Sequence, residues 1–113
     1  MKRTVGVFGL LVVLLAALSS ATHAQDTTWT GWISDSQCGA KGMNARHKAC
    51  AETCVKTNGA SWVLVDSKDS RVYPIRNQNV VNADKHLGHQ VTVQGRVNND
   101  GTVSISTIGA AKS

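Results

Sequence analysis

The sequence predicts a mainly β domain: a five-stranded OB-like barrel with a helix inserted between strands 1 and 2 and a short helix between strands 3 and 4. Three observations predict it. Five short stretches carry apolar residues at every second position or as compact β-branched runs. Clusters of Gly, Asn, Asp and Ser separate most of them. The break between the first two stretches holds a helical pattern where a tight turn would otherwise stand. Five short strands, with a helix between the third and fourth, are the order of the OB-fold, a partly open Greek-key barrel. An open five-stranded sheet with helices on one side is the alternative arrangement.

The chain starts with Lys2 and Arg3, an uncharged apolar run from Val5 to Leu18, and the small residues Ser19-Ser20-Ala21-Thr22-His23-Ala24. That is the layout of a secretory signal peptide, with cleavage after Ala24. The run is short of the roughly 20 apolar residues that span a bilayer. The expectation is a signal peptide over residues 1–24 and one OB-like domain over residues 25–113. The mature domain is then periplasmic or extracellular, with no membrane association. Loss of Lys2 and Arg3 lowers the formal net charge from +5 to +3. The remaining basic residues are scattered, so the pI of 9.5 does not mark a surface for polyanions.

Strand 1 is predicted over Thr28 to Ser34, with Trp29, Gly31 and Ile33 on one face and Thr30, Trp32 and Ser34 on the other. Gly31, between two tryptophans on opposite faces, marks a bulge or bend that lets one strand serve two sheets. Strands 2 (Ser61 to Asp66) and 3 (Arg71 to Arg76) form a hairpin over Ser67-Lys68-Asp69-Ser70. Pro74 puts strand 3 at an edge. Asn79 or Asn82 caps a short helix that Gly88 ends. Strand 4 (Gln90 to Asn98) turns Val91, Val93, Gly95 and Val97 inward. Asn98-Asn99-Asp100-Gly101 is a hairpin signal, and strand 5 follows over Thr102 to Ile108.

The segment Asp35 to Val55 holds every cysteine of the chain. Read as a helix from an Asn44 cap to an Asn58-Gly59 stop, it gathers His47, Cys50, Ala51, Cys54 and Val55 on one inward arc. Three chemistries fit that arc. Cys38 and Cys54 are the preferred disulfide, because cysteines one helical turn apart are poorly aimed at each other. Closing a loop of roughly 15 residues adds about 3 kcal/mol in the chain-entropy account. Alternatively, Cys38, His47, Cys50 and Cys54 form a Cys₃His set for zinc or copper, with Met43 nearby as a soft donor for copper(I). The spacing lacks a C-x₂-C knuckle, and exported thiols tend to oxidise. Third, a leftover thiol near Arg46, Lys48 and Lys56 suits redox chemistry; the plainer reading is a small buried apolar residue.

Asp35 and Ser36 read as turn formers. His86 and His89 flank a glycine at a helix-to-strand junction and suit metal binding or pH sensing, or simple solvation. Tyr73 reads as a half-buried strand residue. Trp32 and Arg96 on an OB sheet have the character of a single-stranded nucleic-acid platform. With a net charge of +3 after export, nucleic acid is not an expected partner. No carboxylate pair, Ser-His-Asp order, phosphate loop or dinucleotide fingerprint is present. No catalytic residue and no bound cofactor are therefore assigned.

The runs G-W-I-S-D-S-Q-C-G-A-K at 31–41, C-A-E-T-C-V-K at 50–56, W-V-L-V at 62–65, V-Y-P-I-R-N-Q at 72–78 and H-L-G-H-Q-V-T-V-Q-G-R-V at 86–97 carry a resemblance. The chain resembles a family of small exported bacterial proteins of unknown function, with an OB-like domain and a cysteine insert. The resemblance implies an OB-like fold and brings no activity. Relatives often carry His directly after Cys-Gly-x-Lys; here that position is Gly42, and the nearest histidine is His47. The expected function is that of an exported binding or structural module for a small ligand or protein partner, stabilised by a disulfide. The alternative is a Cys/His metal-binding or thiol-redox protein.

Overall fold

The computed structural model describes residues 26–112. The expected signal peptide, residues 1–24, lies outside the described residues. The fold is mainly β, with five antiparallel strands and two helices. The strands are β1 (Thr27–Asp35), β2 (Trp62–Asp66), β3 (Val72–Pro74), β4 (Val91–Val97) and β5 (Val103–Ala110), in the order β3-β2-β1-β4-β5. Helix α1 (Lys48–Thr57) lies between β1 and β2, and the single turn α2 (Ala83–His86) lies between β3 and β4. No helix among the described residues is long and apolar enough to cross a membrane.

β1 is divided between two neighbours. Its first half pairs with β4, from Thr27↔Gly95 to Gly31↔Val91. Its second half pairs with β2, from Gly31↔Asp66 to Asp35↔Trp62. Gly31 belongs to both ladders, but β1 serves two neighbours within one five-stranded sheet, not the two sheets expected. A side chain there would strike the Val65 carbonyl, so the backbones approach more closely than any other residue permits. The bulge itself falls in β4, where the register with β5 shifts between Gln94 and Gly95.

The turns follow their residues. Ser70 N–H donates to the Asp66 carbonyl at 2.8 Å, and Asn98 N–H donates to that of Thr102 at 2.7 Å. The Asn82 side chain accepts from Asp84 N–H and caps α2. Pro74 sits on β3, at the edge of the strand order. Beyond it the chain meets β5 through one parallel bridge, Ile75↔Val103, with Arg76 N–H donating to the Val103 carbonyl at 2.9 Å. The strand ladder is therefore open between β3 and β5.

Two amide side chains work across that opening. Gln78 Oε1 accepts from Trp62 N–H at 2.7 Å, and its Nε2 donates to the Trp62 carbonyl at 2.9 Å. Asn77 does the same for Ile105, accepting at 2.9 Å and donating at 2.7 Å. Each gives one strand residue the pair of hydrogen bonds that a neighbouring backbone would give. The core inside is built on Trp29, Leu64, Tyr73, Val91, Val93 and Val103. Tyr73 is fully part of it, at 8% exposure, and packs 5.6 Å from the Trp29 ring. Burying these side chains is worth about 1.5–3 kcal/mol each before chain entropy is counted. Val97 corrects the inward reading of strand 4. It is 49% exposed, because it ends the ribbon beside the 98–101 turn and beyond the reach of the core.

Helix α1 also differs from the sequence reading. Asn44 caps a 3₁₀ turn, Ala45–His47, by accepting from Arg46 N–H at 3.0 Å. The α-helix proper starts at Lys48. Its inner face is Ala51 and Cys54, whereas Cys50 is exposed. At about 100° per residue, Cys50 stands at the margin of the arc, in the first turn of the helix, and is exposed there. The 3₁₀ turn changes only how His47 is phased against the helix. The stop at Asn58-Gly59 is where expected, with Gly59 at φ +76.

Candidate metal centre

The site begins where β1 ends. Asp35 is the last residue of β1, and its side chain is 0% exposed. A buried carboxylate is costly unless its oxygens are bonded. Here both are. Oδ1 accepts from the amides of Gln37 and Cys38, each at 3.0 Å. Oδ2 lies 2.6 Å from Nε2 of His47, which is 12% exposed. Burial pushes the Asp35 carboxyl upward. The His47 hydrogen bond, the Cys38 and Gln37 amides and the His47 charge together outweigh it and hold the group below the ordinary carboxylate value.

The loop after β1 is shaped to bring His47 back. Cys38 opens the 3₁₀ turn Gly39–Gly42. The Ser34 hydroxyl donates to the Gly39 carbonyl at 2.9 Å. Gly42 is buried, and a β-carbon on it would meet the Ser34 hydroxyl and the His47 ring carbon Cδ2 at 2.5 Å. The imidazole thus occupies the space that a side chain at position 42 would fill. Asp35, Cys38 and His47 each present a donor atom, and these atoms lie within 4.8 Å of one another. Among the described residues this is the group of three or more metal-type donors that forms.

Cys38, Cys50 and Cys54 are free thiols. The expected Cys38–Cys54 disulfide is not formed here. A cysteine pair at 4.4 Å is not bonded, since a disulfide needs its sulfurs at about 2.05 Å. The Asp35 carboxylate holds the Cys38 amide, and the Cys38 thiol lies in the donor group with His47. The proposed four-residue metal set is likewise redrawn. Cys38 and His47 come together, Asp35 joins them, and Cys50 and Cys54 stay outside the group. Burial, the negative charge of Asp35 and the neighbouring Cys50 raise the pKa of Cys54. It therefore remains a neutral thiol.

Asp35 is the functional residue that sequence reading placed only as a turn former. The turn is real, through Oδ1. The available signal was the D-x-x-C spacing, which uses one carboxylate oxygen and leaves the other in need of a partner.

The remaining candidates are placed elsewhere. Both ring nitrogens of His89 face backbone carbonyls, Gln90 at 2.9 Å and Lys85 at 2.7 Å. His86 is half-buried, its Nδ1 has no partner, and burial followed by His89 and Lys85 lowers its pKa. Neither histidine enters a three-donor group. Trp32 is half-exposed, Arg96 is exposed and Met43 is half-buried. No protein-family model, no curated protein and no solved structure matches this chain.

Proposed function

We propose that the chain is an exported OB-like module that binds a transition-metal ion, zinc in preference to copper, through Asp35, Cys38 and His47. The observation that carries this reading is the convergence of a carboxylate, a thiol and an imidazole within 4.8 Å, with the carboxylate wholly out of water. Structural pairing alone accounts for Asp35 and His47. It gives no reason for a thiol at the same point. Nitrogen, oxygen and sulfur donors at about 2.0–2.3 Å are what zinc accepts. Copper(I) favours soft ligands, and a carboxylate in the set weighs against it.

The OB-like barrel supports this reading as a scaffold. The parallel bridge Ile75↔Val103 and the Asn77 and Gln78 amides lie where the ring of strands would close. The excursion between β1 and β2 then forms one of the loops that such folds use for binding. Export rests on the charged, apolar and small-residue succession of residues 1–24.

The test is metal content. Residues 25–113, purified under reducing conditions and stripped of metal, are titrated with zinc by calorimetry and measured by mass spectrometry. One ion per chain is expected. Cys38→Ser and His47→Ala lose it, while Cys50→Ser keeps it. Uptake that is unchanged in both Cys38→Ser and His47→Ala overturns the reading.

A further inference from the structure

We infer that this metal site is open, with a fourth coordination position that takes an exchangeable small anion from solution. The inference rests on the metal reading above. A zinc ion held tetrahedrally needs four donors, and sites closed by four side chains are structural, whereas sites with three keep one position for water or a ligand. Asp35, Cys38 and His47 supply three.

The neighbouring donors are already committed or lie apart. Ser34 spends its hydroxyl on the Gly39 carbonyl. Asp35 Oδ1 is held by two backbone amides. Cys50 is exposed and Cys54 is buried, and both lie outside the donor group. No His, Cys, Asp or Glu among the described residues completes the set.

Access and charge decide what enters. His47 keeps 12% of its side chain in solvent, and Cys38 is half-buried. The Gly39–Gly42 turn beside them carries a single side chain larger than methyl, the exposed Lys41. A divalent ion with one carboxylate and one thiolate makes a neutral centre. From residue 38 to residue 48 the chain carries Lys41, Arg46 and Lys48 and no carboxylate. A neutral centre on a basic stretch of chain favours an anionic donor over a cationic one. The ligand class is therefore a small anion able to coordinate zinc, such as a carboxylate or a pseudohalide.

Cobalt(II) replaces zinc as the reporter, and azide is the anion probe. The parent domain is expected to bind one cobalt ion with a thiolate-to-metal absorption band that Cys38→Ser abolishes. Azide is expected to shift the visible cobalt bands saturably, in the parent and equally in Cys54→Ala. Combined Lys41→Gln and Arg46→Gln substitutions should weaken azide about three- to tenfold, since exposed charges act through screened fields. Cobalt bands that ignore azide, or that change in Cys54→Ala without it, overturn the open site while leaving the metal reading intact. A parent chain that takes up no cobalt and no zinc overturns both.

Discussion

Asp35 and His47 share a 2.6 Å hydrogen bond that ties the end of β1 to the turn preceding α1, with the carboxylate entirely out of water. Because Oδ1 of the same carboxylate holds two amides, one side chain organises the whole excursion. Asp35→Ala leaves two amides and an imidazole without their acceptor. The expected loss is about 2–4 kcal/mol, read as a lower urea midpoint at unchanged slope. A loss under about 0.5 kcal/mol would show that water replaces the carboxylate freely.

The same group sets an acid limit. Its folded pKa lies below its ordinary value of 3.8, so it binds protons less readily folded than unfolded. Its contribution is complete above the ordinary value and disappears as pH falls through the depressed one. Stability measured from pH 6 downward should therefore drop below about pH 4 in the parent, and Asp35→Asn should show a shallower decline over that interval. Parallel curves for the two proteins would refute the linkage.

Gly42→Ala is the cleanest separation of site from scaffold. The added methyl collides with the His47 ring and the Ser34 hydroxyl, not with the core. An expected cost of about 1–3 kcal/mol should come with lost zinc uptake and an intact β-sheet circular dichroism spectrum. Full zinc uptake in Gly42→Ala would mean the ring has room that the structure denies it.

Zinc itself should stabilise the fold, because the donors converge only in the folded chain. At a free concentration 100 times the dissociation constant the gain is about 2.7 kcal/mol. A melting temperature that rises with zinc in the parent and in Cys50→Ser, but not in His47→Ala, is the expected pattern. An equal rise in all three would place the ion elsewhere.

Gln78→Ala tests the clip on the start of β2. It removes the acceptor of the Trp62 N–H and one of two donors to the Trp62 carbonyl, the other being Ile75 N–H at 3.4 Å. The expected loss is about 2–4 kcal/mol, larger than for the exposed neighbour Asn79→Ala, which should stay within about 0.5 kcal/mol. Equal effects would deny the amide its strand-like role.

The strands were legible because their signals are local. Alternation placed β1, β4 and β5 to within a residue or two, and Pro74 announced an edge. Gly31 marked a close backbone approach but neither a second sheet nor the bulge, which lies in β4. Cys50 was misread because it stands at the margin of the helical arc, in the first turn of the helix, where periodicity alone does not say how far the neighbouring elements cover it. Asp35 was half-read. Its turn depends on residues two and three positions away, but its second oxygen depends on His47, twelve positions on, which returns only after the chain has folded. Asn77 and Gln78 gave no signal, since an amide that stands in for a strand looks like any loop amide. The three thiols stayed ambiguous because spacing constrains which sulfurs can meet, not which do.

The Gln78 and Asn77 amides have a consequence for how this molecule can be cut and rejoined. Where a ring is closed by a continuous ladder, breaking it exposes a sticky edge along its full length. Here the ladder is open, and two detachable clips hold β2 and β5 at Trp62 and Ile105, so new termini between residues 76 and 82 would free the clips without unzipping any strand from its neighbour. That stretch is a place to splice in a sensor or tether, and because the Gln78 clip holds Trp62, the register partner of Asp35, an insertion there would report on the Asp35 corner.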